Sequence, residues 1–247
     1  MALIGVIPAR WASTRFPGKI LADIAGKPML QHVWERAKQA KTLTDVIIAC
    51  DEEHVFEKAK SFGAHAVLTR KDHVSGSDRV AEVALQTDAK GIVNIQGDEP
   101  LIEPKLIDDL ADALQKEMGA VMTTAIKRIR TAEEFNNSNI VKVVVDRTWN
   151  ALYFSRAAIP FHRDGKVEDY SRCFRHLGIY AYRRDFLLDY CSWPKSFLEQ
   201  EESLEQLRVL EAGYKIKTVL TDYETIGVDT PQDLKKINDY FLRQQGK

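Results

Sequence analysis

The stretch Leu3–Lys19 reads LIGVIPARWASTRFPGK, and it predicts how the rest of the chain is arranged. Residues 3–7 form a short apolar, β-branched run, which is typical of a buried strand. A loop with Arg10, Arg15 and Lys19 follows this strand directly and contains no carboxylate. We therefore expect a first strand whose carboxyl end opens into a cationic loop.

The chemistry of these cations suits a polyanion. Arginine grips phosphate with two parallel hydrogen bonds, and lysine acts as a mobile point charge. Open α/β sheets place ligands at the carboxyl ends of their strands, which is where this loop lies. This position favours a triphosphate site over the alternative, a solvated basic loop. Neither the phosphate-loop spacing G-x-x-x-x-G-K-[ST] nor the dinucleotide spacing G-x-G-x-x-G is found.

Composition limits the class of protein. The chain has 247 residues, of which 45% are hydrophobic and 29% are charged, so it can bury one large α/β core. Its 35 basic and 36 acidic residues are spread along the chain, which argues against a nucleic acid or a membrane as partner. The apolar start is too short for a signal peptide or a membrane span, so we expect a cytoplasmic protein.

Strand and helix patterns alternate through the first half. Short apolar runs at residues 3–7, 46–50, 66–69 and 91–95 are separated by amphipathic helical segments. This alternation predicts a mostly parallel sheet that is covered on both faces.

The second half has a different pattern. The runs at 141–145 and 151–155 lie close together, as the strands of a hairpin would. The stretch Leu198–Leu210 predicts one amphipathic helix. No linker or repeat divides the chain, so we expect a single domain over 1–247, with residues 1–125 mainly binding nucleotide and an antiparallel sub-lobe at about 126–215.

Two aspartates follow strand-like runs at opposite ends of the chain. Asp98 lies in the stretch 95–100 (IQGDEP), and Asp229 lies in 227–231 (GVDTP). Each alone has an ordinary alternative, a turn aspartate for the first and a helix cap for the second. Together they offer two oxygen donors to a hard cation beside phosphates, so we expect Mg²⁺. The three cysteines lie far apart in the sequence, which indicates free thiols. Neither they nor the histidines have the spacing of zinc ligands, so we expect no zinc site.

Further polar residues are candidates for a binding site. In the loop from Arg70 to Arg79, small residues such as Ser75 and Gly76 would let backbone N–H groups approach a base or a ribose, with a solvated loop as the alternative. The second half carries five polar side chains able to bind a carboxylate or hydroxyl groups, which are Arg156, His176, Tyr180, Glu205 and Gln206. If no family resemblance is taken into account, the simpler interpretation of each of these five is a polar residue with a structural role.

The spacing P-A-R-x-x-S-x-R-x-P-G-K over residues 8–19 resembles the opening signature of the sugar nucleotidyltransferases, and most closely of the cytidylyltransferases that activate acidic sugars. Further motifs of that group match in the same order, at residues 96–100, 153–156, 175–180, 204–208 and 227–231. The set is similar to that of the cytidylyltransferases acting on 3-deoxy-manno-octulosonate (Kdo), and it covers nearly the whole chain.

This resemblance implies a nucleotide-diphospho-sugar transferase fold, which is Rossmann-like, and a homodimer formed through the second half. It implies a Mg²⁺-dependent reaction of CTP with Kdo in lipopolysaccharide biosynthesis. The implied nucleotide-binding residues are Ala9, Arg10, Ser13, Arg15, Lys19, Arg70, Ser75, Gly76 and Gln96. The implied sugar-binding residues are Gln96, Arg156, His176, Tyr180, Glu205 and Gln206. Arg10, Lys19 and Asp98 would be catalytic, and Asp98 and Asp229 would hold the metal.

Three other functions are compatible with parts of this pattern. An acylneuraminate cytidylyltransferase would share the nucleotide loop and differ in its sugar motifs. A hexose-1-phosphate nucleotidylyltransferase would usually open with a glycine-rich loop, which residues 8–10 are not. A non-catalytic nucleotide-binding protein would be expected to have lost part of the cationic or acidic set, yet all its members are present here.

Overall fold

The computed structural model describes residues 1–12, 16–163, 169–224 and 226–245, with the exception of the Gln245 side chain. In chain order the elements are β1 (Leu3–Ala9), a 3-10 turn (Lys19–Leu21), β2 (Asp23–Ile24), β3 (Lys27–Pro28), α1 (Met29–Ala37), β4 (Leu43–Cys50), α2 (Glu53–Ser61), β5 (His65–Leu68), α3 (Gly76–Leu85), β6 (Gly91–Asn94), α4 (Pro104–Lys116), β7 (Ala120–Arg128), α5 (Ala132–Asn136), β8 (Lys142–Val145), β9 (Ala151–Ser155), β10 (Phe174–Arg183), α6 (Arg184–Ser192), α7 (Phe197–Glu202), α8 (Gln206–Glu211), β11 (Lys215–Leu220) and α9 (Pro231–Gln245). The chain divides into two compact units, Met1–Asp108 with Glu224–Lys247, and Asp109–Tyr223.

The first unit contains a parallel sheet with the strand order β6-β1-β4-β5. Strand β1 lies inside this sheet, and its apolar side chains Leu3, Val6 and Ile7 are fully buried. Helices α1, α2 and α3 pack against these strands. A parallel sheet needs cover on both faces, which explains why its strands are continuous apolar runs. The predicted α/β fold with a mostly parallel sheet is confirmed.

Parallel pairing brings the carboxyl ends of β1, β4 and β6 to one edge of the sheet. Val6 pairs with both Ile47 and Asn94, so the strands run in register toward this edge. The chain leaves these strands at Ala9, Cys50 and Asn94. The loops that carry Arg10, Asp51 and Gln96 therefore start beside one another, as expected for a ligand site in an open α/β sheet.

The second unit combines parallel and antiparallel strands. Strand β11 pairs with β7 in parallel, whereas β10 pairs with both β7 and β8 in antiparallel orientation. Strands β8 and β9 form the predicted hairpin, with Val143 opposite Phe154. The register of β10 against β7 shifts between Leu177 and Tyr180, as in a β-bulge. Antiparallel strands in the second half are thus confirmed.

The single helix predicted over Leu198–Leu210 is wrong. The structure has two short helices, α7 and α8, because Ser203 adopts a left-handed conformation with φ of 52°. The Leu204 amide then donates to the Glu199 carbonyl at 3.1 Å and closes the first helix. Leu204 and Leu207 are buried despite the break, so their helical spacing concealed it.

Two further findings concern the cysteines and the helices. All three cysteines, Cys50, Cys173 and Cys191, are free thiols, as predicted. Burial raises the pKa of Cys50 to about 12, so this thiol is unreactive at neutral pH. Among the described residues, no helix is both long and apolar enough to cross a membrane.

Candidate active site

A cavity of about 320 Å³ opens at the carboxyl edge of the parallel sheet. Its lining residues all belong to the first unit, and they are Pro8, Arg10, Ala12, Lys19, Ile20, Gly76, Gln96, Gly97, Asp98 and Asp229. Six of the residues singled out from the sequence are thereby brought together, namely Arg10, Lys19, Gly76, Gln96, Asp98 and Asp229. The volume is within the usual range for a small-molecule site.

Lys19 makes the densest set of contacts in this cavity. Its Nζ donates to Asp98 Oδ2 at 2.7 Å, to Asp229 Oδ1 at 2.9 Å and to the Val228 carbonyl at 2.9 Å. Burial alone would lower the pKa of Lys19, but the carboxylates of Asp98 and Asp229 outweigh it and raise the pKa above its ordinary value. The ammonium group is therefore charged and fixed between two carboxylates.

Arg10 follows the last residue of β1 and also lines the cavity. Its Nε and Nη2 atoms are buried, and no acceptor bonds to them within the part of the chain that the structure describes. Buried charged donors are costly when they lack an acceptor, so these two atoms indicate a place for an anionic ligand. Arg10 can present both donors to phosphate oxygens.

Asp98 and Asp229 reach the cavity from loops that are tied together. The Val228 amide donates to the Asp98 carbonyl at 2.9 Å. Helix α9 is capped by Thr230 and Asp233, whose side chains exchange hydrogen bonds with each other's backbone amides. The Asp229 carboxylate is therefore not the cap of this helix, and it accepts from Lys19 instead.

The loop after β6 approaches the first strand closely at Gly97. A Cβ atom at this position would lie 3.0 Å from the Pro8 carbonyl oxygen and 2.8 Å from Ile20 Cδ1. Such contacts are too short for any side chain, so glycine allows Asp98 to approach the end of β1. Gln96 lines the cavity, and its amide nitrogen lies 3.5 Å from Asn94 Oδ1.

The loop before α3 contributes one cavity residue, Gly76, at the N-terminus of this ten-residue helix. The Ser75 hydroxyl caps the helix by accepting from the Asp78 amide at 3.0 Å. Backbone N–H groups at a helix N-terminus favour anions. Arg70 does not line the cavity, because its side chain is 70% exposed and lies 3.8 Å from Glu82.

Three other predicted nucleotide-binding residues remain to be placed. Ala9 is fully buried at the end of β1. Ser13 and Arg15 lie outside the described residues.

Four of the predicted sugar-binding residues form a cluster in the second unit. The His176 and Tyr180 rings lie 5.4 Å apart, and the Tyr180 hydroxyl donates to Gln206 Oε1 at 3.3 Å. Burial, followed by the charge of Glu205, raises the pKa of Tyr180 above its ordinary value. Gln206 is buried, and its amide nitrogen has no partner among the described residues. The cluster thus presents an amide donor that still needs an acceptor.

His176 is neutral in this cluster. Burial lowers its pKa to about 3. Its Nε2 lies 2.9 Å from Thr124 Oγ1, and that hydroxyl donates its proton to the Ile179 carbonyl at 2.9 Å. With the hydroxyl proton on the Ile179 carbonyl, Thr124 accepts from Nε2–H and Nδ1 is the acceptor of the ring.

Arg156 is held by a different set of contacts in the second unit. Its amide donates to Glu202 Oε2 at 2.8 Å, and its Nε donates to the Glu202 carbonyl at 2.8 Å. The buried Lys142 donates to the Arg156 carbonyl at 2.6 Å. Two charged side chains therefore fix the backbone of Arg156.

Comparison with known proteins assigns these features to a family. The model of a family described as Cytidylyltransferase matches residues 4–217. The 3-deoxy-manno-octulosonate cytidylyltransferase of Solibacter usitatus is 54% identical over 239 residues, which cover 97% of this chain and 94% of that protein. The protein of the same name from Geobacter sulfurreducens is 49% identical over 245 residues, covering 96% of this chain and 98% of that protein.

Solved structures agree with this assignment. CMP:2-keto-3-deoxy-manno-octonic acid synthetase complexed with CTP is 43% identical, with a TM-score of 0.93 over 99% of this chain and 100% of that chain. The 4-diphosphocytidyl-2C-methyl-D-erythritol synthase of Anaerococcus prevotii is 14% identical with a TM-score of 0.65 over 98% of this chain and 99% of that chain, so it shares the fold. The family model matches most of this chain, and the relatives are identical to it at about half of the aligned positions, so this chain belongs to the cytidylyltransferase family.

Proposed function

We propose that this chain transfers the cytidylyl group of CTP to Kdo and releases pyrophosphate. One observation carries the nucleotide half of the proposal: the cavity combines two Arg10 donors that have no acceptor among the described residues with a fixed ammonium and two carboxylates. The sugar half is supported by the relatives, whose name specifies 3-deoxy-manno-octulosonate as their substrate.

The donor set also fits magnesium. Asp98 Oδ2 and Asp229 Oδ1 both contact the same Lys19 nitrogen, so one small cation can reach both carboxylates. Among the described residues, no three His, Cys, Asp or Glu side chains converge into a self-sufficient metal site. Mg²⁺ is commonly held by one or two carboxylates together with substrate phosphates and water. When bound, it would neutralise phosphate charge and orient the triphosphate.

In the proposed reaction the anomeric hydroxyl oxygen of Kdo attacks the α-phosphorus of CTP in line. A bond forms between that oxygen and the α-phosphorus, the bond to the β-phosphate oxygen breaks, and the hydroxyl proton leaves to solvent. Arg10 and Lys19 would stabilise the charge that develops on the α-phosphate and on the leaving pyrophosphate. The side chains would position the two substrates and neutralise the phosphate charge, and none of them needs to form a covalent intermediate.

For the sugar we propose a site in the second unit formed by Arg156, His176, Tyr180, Glu205 and Gln206. The amide nitrogen of the buried Gln206 has no partner in the described part of the chain, and this supports the site because the nitrogen needs an acceptor such as a sugar hydroxyl. Neutral His176 would offer an acceptor at Nδ1, and Arg156 would pair with the carboxylate of the sugar.

Pyrophosphate release from the purified protein tests the proposal. CTP and Mg²⁺ are supplied with Kdo, with N-acetylneuraminate or with a hexose 1-phosphate, and ATP, GTP and UTP replace CTP as nucleotide controls. We expect release with CTP and Kdo alone. Release with N-acetylneuraminate would replace the Kdo assignment by the acylneuraminate one, and no release with any sugar would contradict the activity.

We also propose a homodimer that works in the cytoplasm, where CTP is available. Three large apolar side chains of the second unit support a dimer surface, since Leu152, Phe161 and Phe197 are 60%, 87% and 68% exposed. Light scattering after size exclusion tests the dimer. We expect twice the chain mass for the wild type and a lower mass for Leu152→Glu or Phe161→Glu, whereas a monomeric wild type would contradict the dimer.

A further inference from the structure

Asp51 follows strand β4 and holds the cationic loop although it does not line the cavity. Its Oδ1 accepts from the Trp11 amide at 2.9 Å. This amide belongs to the peptide bond between Arg10 and Trp11, so the Asp51 carboxylate fixes the backbone from which the Arg10 side chain extends. Asp51 does not cap helix α2, where Glu52 is the N-cap residue.

The other oxygen of Asp51 faces a buried cation. Asp51 Oδ2 lies 3.7 Å from Nη2 of Arg79, whose side chain is only 1% exposed. Arg79 is itself anchored, because its Nη1 donates to Thr69 Oγ1 and, at 3.1 Å, to the Arg70 carbonyl. A buried guanidinium requires a compensating charge, and Asp51 supplies it. The carboxylate therefore has a fixed place from which it can hold the loop.

Trp11 also forms the base of the loop that separates Arg10 from Lys19. The Gly18 amide donates to the Trp11 carbonyl at 3.1 Å, which joins the two ends of the loop. The Trp11 ring covers Gly18 so closely that a Cβ atom there would lie 2.7 Å from Trp11 Cη2. The Trp11 ring also packs against the His54 ring, which it meets edge to face with the ring centroids 4.3 Å apart.

We propose that Asp51 is a positioning residue for the triphosphate: it fixes the Arg10–Trp11 peptide so that the Arg10 guanidinium meets the phosphate chain. This inference rests on the proposed function in so far as the cavity binds CTP. Asp51 acts through Arg10 and Trp11 and touches no substrate itself.

The sign of the effect on CTP affinity separates positioning from charge alone. A carboxylate near phosphates repels them, so a pure charge effect would make Asp51→Ala bind CTP more tightly. Loss of the anchor predicts the opposite. We expect the Kd and the KM for CTP to rise about tenfold in Asp51→Ala, as for one lost buried hydrogen bond to a charged group. At saturating CTP, kcat should change much less than KM.

A comparison of nucleotides that differ in their number of phosphates gives a ratio of affinities that a purely structural role of Asp51 would not change. Binding is measured calorimetrically for CTP and for CMP, because Arg10 is proposed to contact the phosphate chain. We expect the ratio of CTP affinity to CMP affinity to fall in Asp51→Ala. An equal loss for the two nucleotides, or unchanged or tighter CTP binding, would overturn the proposal.

Two further variants keep the test independent of folding. Asp51→Asn keeps an acceptor for the Trp11 amide and nearly the same shape, so it should lose less CTP affinity than Asp51→Ala. If Asp51→Ala does not fold, Asp51→Asn decides, with CTP affinity and hydrogen exchange of the Trp11 amide measured together. Normal CTP affinity with a protected Trp11 amide supports the anchor. Normal CTP affinity with an unprotected amide overturns the proposal.

The matched control is Asp45→Ala, which removes a carboxylate from strand β4, the strand that Asp51 follows. Asp45 pairs with the exposed His65 at 2.6 Å, and we expect unchanged CTP affinity. The nucleotide arms need no sugar. A wild type that binds CTP but releases no pyrophosphate with any sugar would therefore contradict the proposed function and leave the role of Asp51 to be decided by the affinities.

Discussion

The ammonium group of Lys19 lies between the two carboxylates that we propose as magnesium ligands. Each of Asp98 and Asp229 accepts from Nζ, at 2.7 and 2.9 Å, and the side chain of Lys19 is only 13% exposed. Without this cation the two carboxylates would repel each other in a partly buried site. At the scale of single residues, Lys19 therefore stabilises the acidic pair, and in the proposed function it also offers a positive charge to phosphate.

The first prediction concerns Lys19→Met. We expect kcat to fall by about a hundredfold or more, because a preorganised charge at the phosphates is lost. We also expect Mg²⁺ to raise the melting temperature of the variant more than that of the wild type, because the metal then has no competing ammonium. Steady-state kinetics and thermal unfolding with and without Mg²⁺ measure both effects.

Lys27→Met is the control for that experiment, since Lys27 pairs with Glu35 at 2.7 Å and lies outside the cavity. It should leave both kcat and the response to Mg²⁺ unchanged. Near-normal turnover of Lys19→Met would show that Lys19 has no part in the mechanism. Equal effects of Mg²⁺ on the melting temperatures of Lys19→Met and the wild type would argue against carboxylates shared by Lys19 and the metal.

The second prediction concerns His176, whose pKa is lowered by burial from 6.5 to about 3. Between these values the unfolded chain binds a proton at this residue and the folded chain does not. The stability due to neutral His176 is therefore present above pH 6.5 and is lost as the pH falls toward 3. We expect the free energy of unfolding to fall about 1 kcal/mol more per pH unit in the wild type than in His176→Gln. Urea unfolding at several pH values measures the two slopes, which should coincide if His176 were charged in the folded protein.

At the scale of elements, strands β1, β4 and β6 could be predicted because each contains a buried apolar run of the length that a parallel strand requires. The break between α7 and α8 could not be predicted, because neither glycine nor proline marks it. The role of Asp51 was also hidden, since an acidic residue before a helix is equally typical of a favourable helix-dipole interaction. Its contact with Trp11 joins residues 40 positions apart, and tertiary contacts of this kind have no local signature.

The third prediction concerns this helix break. Ser203 is exposed and has φ of 52°, a conformation that costs least for glycine. We expect Ser203→Gly to raise the free energy of unfolding by about 1 kcal/mol. In contrast, Ser61→Gly, at the last residue of α2, should lower it by about 0.5 kcal/mol. Chemical denaturation of the two variants measures both, and a destabilised Ser203→Gly would contradict the left-handed turn.

At the scale of the whole molecule, the candidate nucleotide site is assembled from distant parts of one chain. Lys19 contacts Asp98 and Asp229 across 79 and 210 positions of sequence, and the segment after Tyr223 returns to the first unit to supply Asp229. Each of these residues could be predicted from its place after a strand or before a helix. The ammonium between the two carboxylates could not, because only the folded chain brings all three together.

The measurement that tests the central claim most directly follows the anomeric oxygen of the sugar. Kdo labelled with heavy oxygen at the anomeric hydroxyl is incubated with CTP, Mg²⁺ and the protein, and the products are examined by mass spectrometry. Attack of that hydroxyl on the α-phosphorus predicts that CMP-Kdo keeps the label and that pyrophosphate carries none. Labelled pyrophosphate, unlabelled CMP-Kdo or the absence of CMP-Kdo would contradict the account.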